Sequence, residues 1–143
     1  MKLPWRSVGP EDGPDAGWLV RDGQVLASVE VAVGRVAKAR GLLGRDHLEG
    51  ALVIPGRRSV HTFSMGFELD VAFLDAEGTV IRTLRLRRHR ATLPVWQARW
   101  VVEAEAGAFG EWELKVGDSL EIELASDRAD GGTDHGGAGS DDR

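Results

Sequence analysis

The stretch best suited to chemistry is a seven-residue run at positions 61–67, HTFSMGF, which precedes an apolar segment containing Asp70. An imidazole titrates near neutral pH, so His61 can move a proton or bind a polar group, and a nearby carboxylate can orient it. Ligand pockets combine a mostly apolar lining with a few placed polar groups, as this run does. We therefore predict a ligand-binding site formed by His61, Thr62, Met65 and Asp70.

The same run also has a structural interpretation. Phe63, Met65 and Phe67 would then fill the core, while His61 and Thr62 would only satisfy main-chain groups of the loop. The two interpretations differ in whether a pocket is present, and the sequence leaves both open.

Asp70 interrupts the otherwise apolar segment LDVAFL, so its carboxylate is expected to be buried. A lone buried charge is costly, and Asp70 should therefore have a partner. One possibility is His61, which would allow an enzyme of hydrolytic type that uses both side chains. The other is an anchoring role, in which Asp70 accepts main-chain N–H bonds or pairs with Arg40 or Arg45.

Other catalytic patterns are not found in the sequence. The chain has no cysteine, which excludes thiolate chemistry, disulfides and Cys-ligated metals. It also has no H-E-x-x-H run, EF-hand loop, G-x-S-x-G elbow or phosphate-binding glycine fingerprint. We therefore predict no catalytic residue set, no metal site and no cofactor.

A run of cations at positions 82–90, RTLRLRRHR, contains five arginines, one histidine and no acidic residue. Guanidinium groups near Trp96 and Trp100 could hold an anion, a nucleic-acid backbone or an acidic partner. Alternatively, they lie on a solvated strand and pair with glutamates of neighbouring strands. The net charge of −5 argues against attraction of nucleic acid by bulk charge.

The elements that must position these residues can be read from hydrophobic periodicity and turn residues. Asp22-Gly23 suits a tight hairpin turn, and Asp75 opens another turn in which its side chain bonds its own backbone. Residues 69–74 are apolar on both faces apart from Asp70, which is typical of a strand covered on both sides. Strands are expected at residues 18–20, 25–31, 51–54, 69–74, 79–86, 98–104 and 120–124, and short helices at residues 34–45 and 107–112.

This pattern predicts an α+β fold, a compact and mostly antiparallel β-barrel-like domain with one or two short helices. A barrel-like sheet is expected because closure removes exposed strand edges. We divide the chain into a loose segment (1–16), a single domain (17–125) and a disordered acidic tail (126–143). The tail carries five of the aspartates and has no apolar side chain larger than alanine.

Three segments resemble one known family. They are GLLGRDHLEGALVIPG, VHTFSMGFELDVAFLDAEGTVIRT and WVVEAEAGAFGEWELKVGDSLEI, which together span most of residues 39–123. In order, they are similar to the opening block, the central H-T-x-x-M signature and the closing E-x-x-A-G block of a bacterial and archaeal family, domain of unknown function 192, also called uncharacterised protein family 0127. The resemblance implies a compact β-rich fold and brings no established reaction, cofactor or partner.

Two positions depart from the family pattern. Glu68 stands where proline usually precedes the Leu-Asp pair, and another branch has Trp and Met in place of His61 and Thr62. A histidine that tryptophan can replace is a poor catalytic base. We therefore predict a non-catalytic ligand-binding or accessory module whose partner is a small molecule or another protein. No segment has the length or apolarity of a membrane span, so a cytoplasmic location is expected.

Overall fold

The structure is a computed structural model of the 143-residue chain and describes residues 15–32, 47–63 and 65–124. The helix predicted at residues 34–45, the acidic tail and most of the N-terminal segment lie outside the described residues. So do Arg40 and Arg45, the two arginines considered as partners of Asp70.

Seven strands and one short helix make up the described part of the chain. They are β1 (Asp15–Arg21), β2 (Gln24–Val31), β3 (Ala51–Pro55), β4 (Leu69–Leu74), β5 (Val80–Leu86), β6 (Trp100–Glu105), α1 (Ala108–Trp112) and β7 (Glu121–Leu124). Every predicted strand is present, as is the second predicted helix. No helix within these residues is long and apolar enough to cross a membrane.

The strands form one mixed sheet in the order β5-β4-β6-β3-β2-β1-β7. Only β2 and β3 pair in parallel, and the other neighbouring strands in the described residues pair antiparallel. The prediction of a mostly antiparallel α+β domain is therefore confirmed.

The prediction of a barrel-like sheet is wrong, because the sheet does not close. Its edge strands, β5 and β7, approach each other only near an isolated bridge between Thr79 and Ser119. The main-chain groups of Val80 bond instead to the turn that precedes β7. Its N–H donates to the main-chain oxygen of Asp118 at 2.8 Å, and its C=O accepts from Gly117 N at 2.8 Å. The turn thus takes the bonds that β7 would need for closure, and the outer side of β5 continues as an edge.

The first hairpin shows both the strength and the limit of sequence periodicity. Asp22 and Gly23 both have positive φ, 51° and 80°, as a tight two-residue turn between twisted strands requires. A bulge in the pairing at Leu19/Val20 then shifts the alternation of β2. Val25 shares the even spacing of the buried residues Val29 and Val31, which predicts burial by simple alternation. Because of the bulge it is 48% exposed, and Leu26 packs against the core instead.

Each face of the sheet carries its own apolar core. The helix-side core includes Ala72 and Leu74 of β4 together with Phe109 of α1. The loop-side core includes Val71 and Phe73 of β4, and loop residues such as Met65 pack there. All six residues of β4 are buried, which confirms that this strand is covered on both faces.

Candidate functional site

Two loops beside β5 pair with each other through their main chains. Thr62 N donates to Arg90 O at 2.8 Å, Thr92 N to Val60 O at 2.8 Å and Val95 N to Arg58 O at 2.8 Å. We call residues 58–63 together with residues 87–96 the loop ladder. The predicted site residues His61 and Thr62 both lie on it.

Thr62 holds the loop ladder together. Its side chain is fully buried, and its hydroxyl donates to Arg87 O and accepts from Arg90 N at 3.0 Å. Its carbonyl also accepts from His89 N and Met65 N, both at 3.2 Å. These bonds satisfy main-chain groups of both loops. Thr62 therefore has the role that the structural interpretation of residues 61–67 gives it.

Asp70 anchors the start of α1 on the other face of the sheet. One carboxylate oxygen accepts from Gly107 N at 2.9 Å and Phe109 N at 3.1 Å, and the other pairs with Arg85 Nε at 3.0 Å. Asp70 is 4% exposed, so these charge-assisted bonds replace the water that its carboxylate loses. Asp70 accepts bonds from main-chain N–H groups, as the anchoring role predicted. Among the described residues, the cation that pairs with it is Arg85 of β5.

The structure does not bring the four predicted site residues into one pocket. Asp70 alternates with Val71 along β4 and shares the helix-side face with Ala72, whereas Met65 is buried in the loop-side core. His61 is exposed and stacks on Phe63, with ring centroids 5.4 Å apart. The convergence that hydrolytic chemistry by His61 and Asp70 requires is not present.

The loop ladder exposes large apolar side chains even though its backbone is well bonded. Leu93 is 84% exposed, Trp96 is 71% exposed and Phe63 is 50% exposed. The Arg58 guanidinium lies over the Trp96 ring at 6.0 Å, and Arg88 is also exposed. Phe63 is therefore not the core residue that one interpretation of the run expected.

A small cleft of about 180 Å³ lies between β5 and the second loop of the ladder. Buried Phe73 contributes to it, while exposed Leu93 and Arg82 bring it to the surface. It is mainly apolar. Its lining consists of Phe73, Arg82, Leu84, Leu86, Ala91, Thr92, Leu93 and Val95.

A buried carboxyl group lies in the loop-side core. Glu103 of β6 is 4% exposed, and its neighbours across the sheet are Leu52 and Val71. Burial raises the pKa of Glu103 from 4.5 to about 7, and the positive charge of Arg57 offsets part of that rise. The protonated form of this carboxyl group is therefore the favoured one below neutral pH.

Sequence reasoning considered Glu103 only as one of the glutamates that could pair with the arginines, and it missed both the burial of this residue and the exposed apolar surface of the loop ladder. The signal for Glu103 was available, because it interrupts the apolar run WVVEAEA as Asp70 interrupts LDVAFL. The exposure of Leu93 and Trp96 had no comparable signal. Where the structure describes the chain, no group of three His, Asp or Glu side chains is arranged to hold a metal ion.

Comparison with known proteins supports the resemblance given by the sequence motifs. Two archaeal relatives, both named UPF0127 protein, come from Thermococcus sibiricus (28% identical, covering 71% of this chain and 70% of the relative) and Pyrococcus abyssi (31% identical, covering 65% and 84%).

Two solved structures share the fold. One, from Sinorhizobium meliloti and described as a proposed transcription regulator, has a TM-score of 0.64 at 20% identity and covers 77% of this chain and 94% of its own. The other, from Novosphingobium aromaticivorans and of unknown function, has a TM-score of 0.60 at 19% identity and covers 80% and 91%. The profile of DUF192, described as "Uncharacterized ACR", matches residues 18–122. The chain therefore belongs to the DUF192 family, whose function is uncharacterised.

Proposed function

We propose that this domain is a non-catalytic interaction module that binds another protein through the loop ladder. The observation that carries the proposal is the exposure of Leu93 and Trp96 on loops whose backbone is fixed by hydrogen bonds to the buried side chain of Thr62. Large apolar side chains close to each other on a surface are typical of binding sites. Tryptophan and arginine are also both enriched at the energetic centre of protein interfaces.

The anchors described above support the proposal from both faces of the sheet. Thr62 fixes the two loops to each other, and Asp70 fixes β4 and β5 to the start of α1. A surface that is already ordered loses less conformational entropy when a partner binds. In this proposal Thr62, Met65 and Asp70 position the surface, and His61, stacked on Phe63, takes part in the contact.

The test places a photo-crosslinking amino acid at Leu93 of the full chain expressed in its host. Val116 provides a matched control because it is also a large apolar residue, 61% exposed, and lies on a different turn. The polypeptide crosslinked through position 93 is identified by mass spectrometry and purified. Its affinity is then measured for the wild type and for Leu93→Ser, Trp96→Ser and Val116→Ser.

We expect one polypeptide to crosslink at position 93 and not at position 116. Leu93→Ser and Trp96→Ser should each weaken its binding about tenfold or more, which corresponds to about 1.4 kcal/mol, while Val116→Ser leaves it unchanged. Equal crosslinking at the two positions, or equal affinities for all three variants, would contradict the proposal.

A further inference from the structure

We propose that β5 and the adjoining cleft bind an extended, acidic segment of a partner protein as an added β-strand. This inference rests on the proposed function and names the chemistry of the partner at the same surface. The features that point to it are an open sheet edge, an apolar cleft beside that edge, and a run of arginines with no acidic residue among them.

The first feature is the edge itself. β5 is the outermost strand at its end of the sheet, and its outward main-chain bonds to the turn before β7 involve Val80. Within the described ranges, no main chain bonds to the outer side of residues 82–86. An edge of this kind offers unpaired N–H and C=O groups, to which an extended peptide can add.

The second feature is the position of the cleft along this edge. Arg82, Leu84 and Leu86 pair with Phe73, Val71 and Leu69 of β4, so they face the loop-side core, and all three line the cleft. Side chains of an added strand alternate between the two faces. Those on the loop-side face would therefore enter the cleft, which fits an apolar residue at every second position.

The third feature is charge. Residues 80–90 carry five arginines and no aspartate or glutamate. Arg82, Arg87 and Arg88 are exposed and form no ion pair with another described residue. The Arg85 side chain stays 55% exposed in its pair with Asp70. On an added strand that alternates acidic and apolar residues, the apolar side chains enter the cleft and the carboxylates lie on the opposite, helix-side face, which is the face of Arg85. There they can form charge-assisted bonds with its half-exposed guanidinium, while the positive charges of Arg82, Arg87 and Arg88 attract the acidic segment to this edge.

The acidic tail of this chain fits the site less well than a partner segment does. Residues 126–143 contain five aspartates, which match the arginines, but their largest apolar side chain is alanine. Alanine cannot fill a cleft that is lined by leucine, valine and phenylalanine. The occupant we infer is therefore a segment of another protein with Val, Leu or Phe between its acidic residues.

The experiment is an NMR titration of the full, ¹⁵N-labelled chain with a panel of heptapeptides that alternate Glu or Asp with Val, Leu or Phe. We expect saturable shifts confined to the amides of residues 81–88, 91–93 and 95, and slower amide exchange along β5. Binding should weaken when salt rises from about 0.05 M to about 0.3 M, because the charges are partly exposed.

Two matched peptides and two matched variants separate the contributions. A peptide methylated at alternate main-chain nitrogens keeps its side chains but cannot form the β-ladder, and a peptide with Lys in place of its acids reverses the charge; both should fail to bind. Arg82→Glu places a negative charge in the lining of the cleft and should weaken binding about tenfold, whereas Lys115→Glu, an equal charge change on the exposed turn before β7 and outside the cleft lining, should change it less than about twofold.

The inference is overturned if no panel member shifts these amides at about 1 mM peptide, which is the weakest affinity we regard as specific. It is also overturned if the methylated peptide binds as well as its parent, since main-chain pairing is then not used. The arginines would in that case only protect an edge strand from aggregation. A partner crosslinked at Leu93 together with either result would leave the interaction module in place and remove only this mode of binding.

Discussion

Replacing Glu103 by glutamine should change how the stability of the domain depends on pH. Burial raises the pKa of Glu103 from 4.5 to about 7 in the folded protein, so the folded state holds this proton more tightly than the unfolded chain does. The free energy of unfolding should therefore fall as the pH rises from about 4.5 to about 7 and then level off. The whole effect is about 3 kcal/mol, from about 1.4 kcal/mol for each pKa unit.

Glutamine resembles the protonated carboxyl group and does not titrate, so Glu103→Gln removes this dependence. The assay is denaturant unfolding of wild type and variant over the range from about pH 5 to about pH 8, with the difference between their unfolding free energies as the readout. Groups common to both proteins cancel in this difference. We expect the variant to gain about 2–3 kcal/mol relative to wild type across the range.

The matched control is Glu77→Gln, which makes the same chemical change on an exposed turn. Its difference from wild type should stay constant within about 0.5 kcal/mol. A constant difference for Glu103→Gln as well would refute the reasoning, because it would mean that the carboxyl group is solvated, or is paired strongly enough to ionise, in the folded protein.

The polar anchors give further predictions that denaturant unfolding can check. Asp70→Asn should cost about 2–4 kcal/mol, because it weakens the two hydrogen bonds that this buried side chain accepts from main-chain N–H groups as well as the ion pair, while Arg85→Gln should cost less than about 1 kcal/mol because that side chain is half exposed. Equal costs would show that the ion pair, and not the bonds to the start of α1, carries the anchor. Thr62→Val keeps the shape but removes the hydroxyl and should cost about 1–3 kcal/mol, whereas Thr62→Ser keeps the hydroxyl and should cost less; a larger loss for Thr62→Ser than for Thr62→Val would place the main contribution in the methyl group.

The elements of the fold could be predicted because their signals are local. Asp22-Gly23 fixes a turn by its own backbone preferences, and the alternation of Leu120, Ile122 and Leu124 identifies the buried side of the last strand. Closure of the sheet depends instead on where β5 and β7 lie relative to each other, which no local pattern specifies. The bulge in β2 is similar in kind, since it is defined by pairing with β1.

For the site residues, too, local features could be predicted from the sequence, whereas contacts between residues distant along the chain could not. That Asp70 is buried and must have partners could be predicted from its apolar neighbours. Which partners it has could not, because Arg85 and Gly107 are 15 and 37 residues away along the chain. The environment of Glu103 depends on the strand order, which places β6 between β3 and β4, where the helix-side core and the loop-side core cover its two faces. Leu93 shows the opposite limit, since hydrophobicity predicts burial and this residue is exposed.

The buried hydroxyl of Thr62 should affect partner binding, because it orders the loops that carry the exposed side chains of the loop ladder. Thr62 is fully buried, so a bound partner would be unable to touch it, yet it bonds both loops that carry Phe63, Leu93 and Trp96. If binding uses a preordered surface, loosening the loops adds an entropic cost to association. Thr62→Val should then weaken binding of the crosslinked partner severalfold under conditions where the variant is fully folded, and Thr62→Ser should restore it. Unchanged affinity of the folded Thr62→Val protein would mean that the loops are ordered by the partner and that the anchor serves stability alone.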